Sequence, residues 1–271
     1  MEIQKKIGIC IPTFEHAELL ERALDSIRIQ SYKEYIVIIS DDSKSECIKE
    51  LVNQYDDINL HYFCNEYSLG TSSNLNRALS YAIMMNVDYI KILFQDDWFS
   101  REDSLEIMIR KLESSNAEVL FVGDYENYPN RRYSRVMEQK KLERIKRKPF
   151  TLFSGNFIGA PSVVMYKTCD IMFDPEFTWL LDVDFYFRLL PNREIVYIYE
   201  PLINIGHDGD QLSDYYMKNM DEVFEETRKQ WKKYKQIHTF NNYRYYFCVI
   251  YRKYLMSKCK RLLLGISESE V

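Results

Sequence analysis

The first half of the chain alternates short apolar runs with stretches whose apolar residues recur at helical spacing. Residues 7–12, Ile-Gly-Ile-Cys-Ile-Pro, are almost wholly apolar and read as a buried strand. Leu19, Leu20, Ala23, Leu24 and Ile27 follow at the spacing of one helix face, which predicts a helix near 16–30. Further strands are predicted at 35–40, 58–63, 89–94 and 117–122. Helices are predicted from Gly70 through Met85 and near 102–115. Strands that alternate with helices imply an α/β fold built on a mostly parallel sheet with helices on both faces. Ligands of such sheets bind beyond the carboxyl ends of the strands. The polar clusters Thr13/Glu15, Asp41/Asp42 and Asp96/Asp97 follow the first, second and fourth strands, so one rim is expected to carry all three.

The pattern weakens after residue 123. Residues 131–148 are rich in Arg and Lys with little periodicity and read as an exposed crossover. Short strands are expected at 162–166 and 195–200, with a helix near 182–190. The chain then looks helical to about 236, and again from about 242 to 264.

Four clusters carry candidate chemistry. Gln95-Asp96-Asp97 closes the fourth strand, and adjacent carboxylates there suit a divalent cation, Mg²⁺ or Mn²⁺, shared with an anionic ligand. A carboxylate of Asp41-Asp42-Ser43 could accept the N3–H of a uracil. Each of these clusters also reads as a helix cap, the usual role of an isolated Asp-Asp, and the shared rim is what favours the cation at Asp96-Asp97. Leu181-Asp182-Val183-Asp184 opens an aromatic-rich helix, where Asp182 is either a cap or a general base for an acceptor hydroxyl. His207 lies between Gly206 and Gly209 in a polar loop and could touch a metal or a diphosphate.

Together these residues resemble the inverting GT-A glycosyltransferases of family 2, over about residues 1–213. Ile9-Cys10-Ile11-Pro12-Thr13-Phe14 looks like the family's opening strand. Ile38 through Ser43 is similar to its strand ending in paired aspartates. Asn65, Leu69-Gly70-Thr71 and Asn74 to Ala78 look like its asparagine-and-glycine turn and the following helix. Gln95-Asp96-Asp97 stands at its metal-binding motif, and Asp182 at the aspartate of its later acidic motif. The resemblance implies that Pro12, Thr13, Phe14 and Glu15 line a nucleotide pocket with Asn74. It implies that Asp42 binds the base, that Asp97 is the main metal ligand with Asp96 near the donor sugar, and that Asp182 is the catalytic base. His207 fits a late loop that closes over the diphosphate. Two positions depart from the pattern: Gln95 replaces the first aspartate, and Leu181 replaces the acidic residue before the base. The implied activity is inverting, metal-dependent transfer of a sugar from a nucleotide-sugar, UDP-linked by the carboxylate at position 42. The implied acceptor is a glycan or lipid-linked saccharide of bacterial surface-polysaccharide assembly. A sugar nucleotidyltransferase and a degenerate glycan- or nucleotide-sugar-binding module are the alternatives. On this reading residues 1–123 form the nucleotide-sugar half, 124–213 the acceptor half, and 214–271 a helical extension.

Charge changes the picture at the end of the chain. From Thr227 to Leu263 there are 11 Lys or Arg and no Asp or Glu, although the whole chain carries −5. Aromatic residues interleave with these cations, which suits an anionic membrane face, a helix packed on the domain, or a dimer face. Nucleic acid is not expected as a partner. The 6 cysteines form no CxxC pair, so neither a zinc site nor a disulfide framework is expected. No signal peptide or spanning helix is read. A cytoplasmic protein, peripheral at the inner membrane face, is the expected setting.

Overall fold

The computed structural model describes residues 4–207, 215–216, 219–237 and 255. Its centre is a nine-stranded sheet. Strand β1 (Ile7–Thr13), β2 (Tyr35–Asp41), β3 (Leu60–Cys64) and β4 (Tyr89–Ile92) pair in parallel in the order β3-β2-β1-β4. All residues of β1, β2 and β4 are buried, the pattern of strands covered on both faces. Helices α1 (Ala17–Arg28), α2 (Cys47–Val52), α3 (Thr71–Met84) and α4 (Ser104–Ser115) connect or flank them. Leu20, Ala23, Leu24 and Ile27 of α1 are buried, as their spacing predicts.

The second half of the sheet is mixed, where a mostly parallel sheet was expected. Strand β8 (Val164–Lys167) runs antiparallel between β4 and β6 (Val119–Tyr128). Strand β9 (Ile195–Gly206) is parallel to β6, and the short β5 (Trp98–Phe99) is antiparallel to β9. An apolar run reveals a strand but not its direction, which only tertiary pairing fixes. The register of β6 against β9 shifts between Val122 and Asp124, and both strands run well beyond their apolar segments. The basic crossover is also structured. Arg131–Arg135 forms β7, a hairpin with β6, and Gln139–Arg147 forms α5, which buries only Leu142 and Ile145. An exposed edge strand has little hydrophobic alternation to announce it.

Helix α6 (Leu181–Leu189) follows, and α7 (Met220–Lys233) packs against its start. The expected helix at 242–264 lies outside the described residues. No described helix is long and apolar enough to cross a membrane. Cys10, Cys47, Cys64 and Cys169 are free thiols.

Candidate active site

Because β1, β2 and β4 are parallel neighbours, the residues just after them meet at one rim. Asp41 is fully buried and spent on the framework. Its carboxylate accepts hydrogen bonds from the Thr13 hydroxyl at 3.0 Å, the Ser43 N–H at 3.0 Å and the Tyr62 hydroxyl at 2.7 Å. Asp42 does not cap α2, which begins five residues later at Cys47. Its Oδ2 accepts the Leu69 and Gly70 N–H groups, both at 2.9 Å, and its Oδ1 accepts the Asn65 amide. Asn65 also donates to Asn74 Oδ1 at 2.9 Å, and Asn74 donates to the Thr13 carbonyl at 3.1 Å. This chain of amides ties the ends of β1, β2 and β3 to the start of α3.

Gln95 has a structural explanation. Its amide accepts from the Phe14 N–H at 2.9 Å and donates to the Phe14 carbonyl at 3.1 Å, clamping the loop after β1 to the loop after β4. An aspartate could not donate the second bond. Asp96 stays partly exposed, and its carbonyl accepts from Arg22 at 2.8 Å. Asp97 is 2% exposed, and its Oδ1 accepts the Gly206 N–H at 3.0 Å. Burial, and then the neighbouring charge of Asp96, hold the Asp97 carboxyl well above its usual range. Burial pushes Lys91 of β4 down to about 7, against the opposing pull of the Asp97 charge. Glu15 is turned elsewhere: its carboxylate accepts the Lys44 N–H at 2.9 Å and pairs with the Ser45 hydroxyl, and it does not line the cavity described below.

Asp182 sits in the first turn of α6, with Leu180 at the cap position. Its Oδ2 accepts from Asn156. Desolvation raises its carboxyl to about 6, against the lowering pull of the Val183 N–H and the Asn156 amide. Asn156 is itself locked, because its Oδ1 accepts the Ile158 and Gly159 N–H groups at 3.0 and 2.9 Å. Gly159 has a φ of +116°, and a Cβ there would lie 2.2 Å from Nη2 of Arg135. Arg135 makes a forked pair with Asp124 and reaches Glu126 at 3.1 Å. His207 is engaged by this same group. Its Nε2 meets the Glu126 carboxylate, and its ring stacks on Tyr128 with centroids 4.0 Å apart.

Helix α7 supplies the far wall. Glu226 accepts the backbone N–H groups of Thr178, Trp179 and Leu180 at 2.9–3.2 Å. It thereby caps α6 from another element. Asp184, fully buried, is held by Arg188 at 2.7 Å, Lys233 at 2.7 Å and Tyr234 at 2.8 Å, which makes it a tie between α6 and α7.

These elements enclose an open cavity of about 1170 Å³. Pro12, Thr13, Phe14, Asp42 and Asn74 line it together with Asp96, Asp97, Asp182 and His207. Glu126, Arg135, Asn156, Trp179, Gln230 and Trp231 also line it, and sequence reading did not single these out as site residues. Asn156 was detectable as an Asn between glycines at 155 and 159; the others needed the fold. No three His, Cys, Asp or Glu side chains among the described residues converge as a metal cage. A cation at Asp97 and Asp96 would have to take its remaining ligands from a bound anion and water.

Comparison with known proteins agrees with this fold. A β-1,3-glucosyltransferase of Campylobacter jejuni, named for GalNAc(5)-diNAcBac-PP-undecaprenol, is 32% identical over 162 residues, covering 57% of this chain and 50% of its own. This chain thus spans about half the length of that relative. WfgD of Escherichia coli, a UDP-Glc:α-D-GlcNAc-diphosphoundecaprenol β-1,3-glucosyltransferase, is 23% identical over 83% of each chain. The fold matches that of S. aureus TarS residues 1–349 in complex with UDP-GlcNAc. The TM-score is 0.69 at 17% identity, covering 98% of this chain and 77% of the other. The model of glycosyl transferase family 2 matches residues 8–169, and the chain, a GT-A α/β protein with a mixed sheet, belongs to that family.

Proposed function

We propose that this protein is an inverting hexosyltransferase that moves a sugar from a UDP-sugar to a saccharide on a lipid diphosphate carrier, in bacterial surface-polysaccharide assembly. One observation carries the reading: Asp42 and Asp97 of the rim and the desolvated carboxylate of Asp182 line one and the same cavity. The relatives named for lipid-diphosphate-linked acceptors support the substrate class.

In this reading Pro12, Thr13 and Phe14 border the nucleotide, and Asp42 and Asn74 set the uracil side. Asp97, with Asp96 beside it and His207 over the diphosphate, would hold Mn²⁺ or Mg²⁺. A bound cation there supplies Lewis-acid stabilisation of the leaving diphosphate. Asp182 accepts the proton of the acceptor hydroxyl as that oxygen bonds to the anomeric carbon. The bond to the diphosphate breaks on the opposite face, so UDP leaves and the anomeric centre inverts. Asn156 holds Asp182 in place with a hydrogen bond that also favours the charged form. Residues 239–271 complete the reading as a contact with an anionic bilayer, which liposome flotation with and without them would check.

The test is a panel of UDP-sugars with Mn²⁺ or Mg²⁺, scored by UDP release with and without EDTA. Metal-dependent release from one donor, lost in Asp97→Ala and Asp182→Asn, is the expected result. If calorimetry shows no UDP binding with either metal, the reading falls.

A further inference from the structure

Helix α7 presents a polar group with no visible purpose in the fold. Gln230 is 3% exposed, and its Nε2 is buried with no hydrogen-bond partner among the described residues. Buried amide nitrogens are nearly always paired, and an orphan points to a missing partner. Gln230 nevertheless lines the cavity, as do Thr227 one turn back and Trp231 next to it. Trp179 and Leu180 line it from the segment that enters α6. Trp179 is only partly buried.

The position of this group is fixed. Glu226, four residues before Gln230 on the same helix face, grips the N–H groups of residues 178–180. Asp182 follows two residues later. Gln230 therefore sits about 6 Å along α7 from the contact that sets the start of α6. The Asp42–Asn65–Asn74 network belongs to the other group of elements, at the ends of β1, β2 and β3.

We infer that Gln230, Trp179 and Trp231 form a saccharide subsite for the acceptor, separate from the donor nucleotide. Indole faces take the C–H face of a pyranose, and the Gln230 amide N–H donates to one of its hydroxyls. The inference rests on the proposed transferase reading for its biological meaning, since Asp182 would then act on a hydroxyl of that same saccharide. Its physical content, a sugar site on α7, stands by itself.

The experiment uses the full chain and saturation-transfer NMR, with the methyl α- and β-glycosides of glucose, galactose, GlcNAc and GalNAc as probes at millimolar concentration. Each is run with and without UDP. UDP binding is measured separately by calorimetry, so a failed donor site and a failed sugar site are read apart. At least one glycoside should give signals that UDP does not displace. Those signals should fall at least fivefold in Gln230→Leu and in Trp231→Ala, while UDP affinity stays within twofold of the parent. The inference is overturned if no glycoside binds, if UDP displaces every signal, or if Gln230→Leu leaves the signals unchanged. Loss of UDP affinity in Gln230→Leu also overturns it, because the amide would then serve the donor.

Discussion

In the proposed reaction Asp182 is the base, and the same desolvation that would suit it to that role has a consequence for stability. Desolvation holds its carboxyl at about 6, so it is mostly ionised at neutral pH yet basic enough to take a proton. The rate of transfer should therefore rise with pH along a limb centred near 6, which a pH profile of kcat/KM for the acceptor would show. Asn156 donates to the charged form. Asn156→Leu should consequently move that limb upward, and an unchanged limb would mean that the contact does not tune the base. The stability consequence has a definite sign. Asp182 binds its proton more tightly folded than unfolded, so stability is lost as pH rises from about 4 through about 6. A tenfold difference in proton affinity between the two states is worth about 1.4 kcal/mol. Asp182→Asn should then be more stable than the parent at pH 7 by on the order of 3 kcal/mol, and no more stable at about pH 3.5, when both are melted in urea. The same substitution should lower turnover by roughly 10²- to 10⁴-fold.

Among the elements, the start of α6 shows what pattern reading catches and what it misses. An aspartate in a helix's first turn was legible at position 182. Its cap was not, because the capping carboxylate comes from Glu226, 46 residues after Leu180. Side chains that satisfy a distant backbone leave no local signal. Glu226→Ala would strand three N–H groups and should cost about 2–3 kcal/mol, more than an ordinary surface change. If urea melts show a loss below about 0.5 kcal/mol, the remote cap is not holding α6. Gly155 and Gly159 likewise announce a turn, but the reason for Gly159 lies in Arg135, which sits within a basic stretch with no apolar rhythm. The paired aspartates at 41 and 42 looked alike in the sequence, and only the register of β2 separates them. Asp41 faces Thr13 and Tyr62 within the sheet layer, whereas Asp42 reaches the turn before α3 and the cavity.

At the scale of the whole molecule, the parallel half was legible because β1, β2 and β4 are buried on both faces, while the reversed β8 and the hairpin β6–β7 carry no directional signal in their composition. The cavity joins the two halves, and that arrangement makes a prediction about cation binding. Asp97 and Asp96 are two carboxylates of raised mutual cost, and no third acidic, histidine or cysteine side chain among the described residues completes a cage with them. A divalent ion bound by so few protein oxygens needs the diphosphate for the remainder of its shell. Cation and nucleotide should therefore stabilise the fold together far more than separately. Ligand at about a hundred times its Kd contributes about 2.7 kcal/mol, which for a chain of this size corresponds to a rise of roughly 5–10 °C in Tm. Differential scanning fluorimetry should show that rise with UDP and Mn²⁺ together, and a rise of less than about 2 °C with Mn²⁺ alone. Asp97→Ala should abolish the joint effect while leaving any shift from UDP alone, because the proposed uracil side, with Asp42 and Asn74, lies elsewhere on the cavity lining. A full shift from Mn²⁺ without nucleotide would instead require a protein-built cage, and would place the cation away from the Asp96–Asp97 rim.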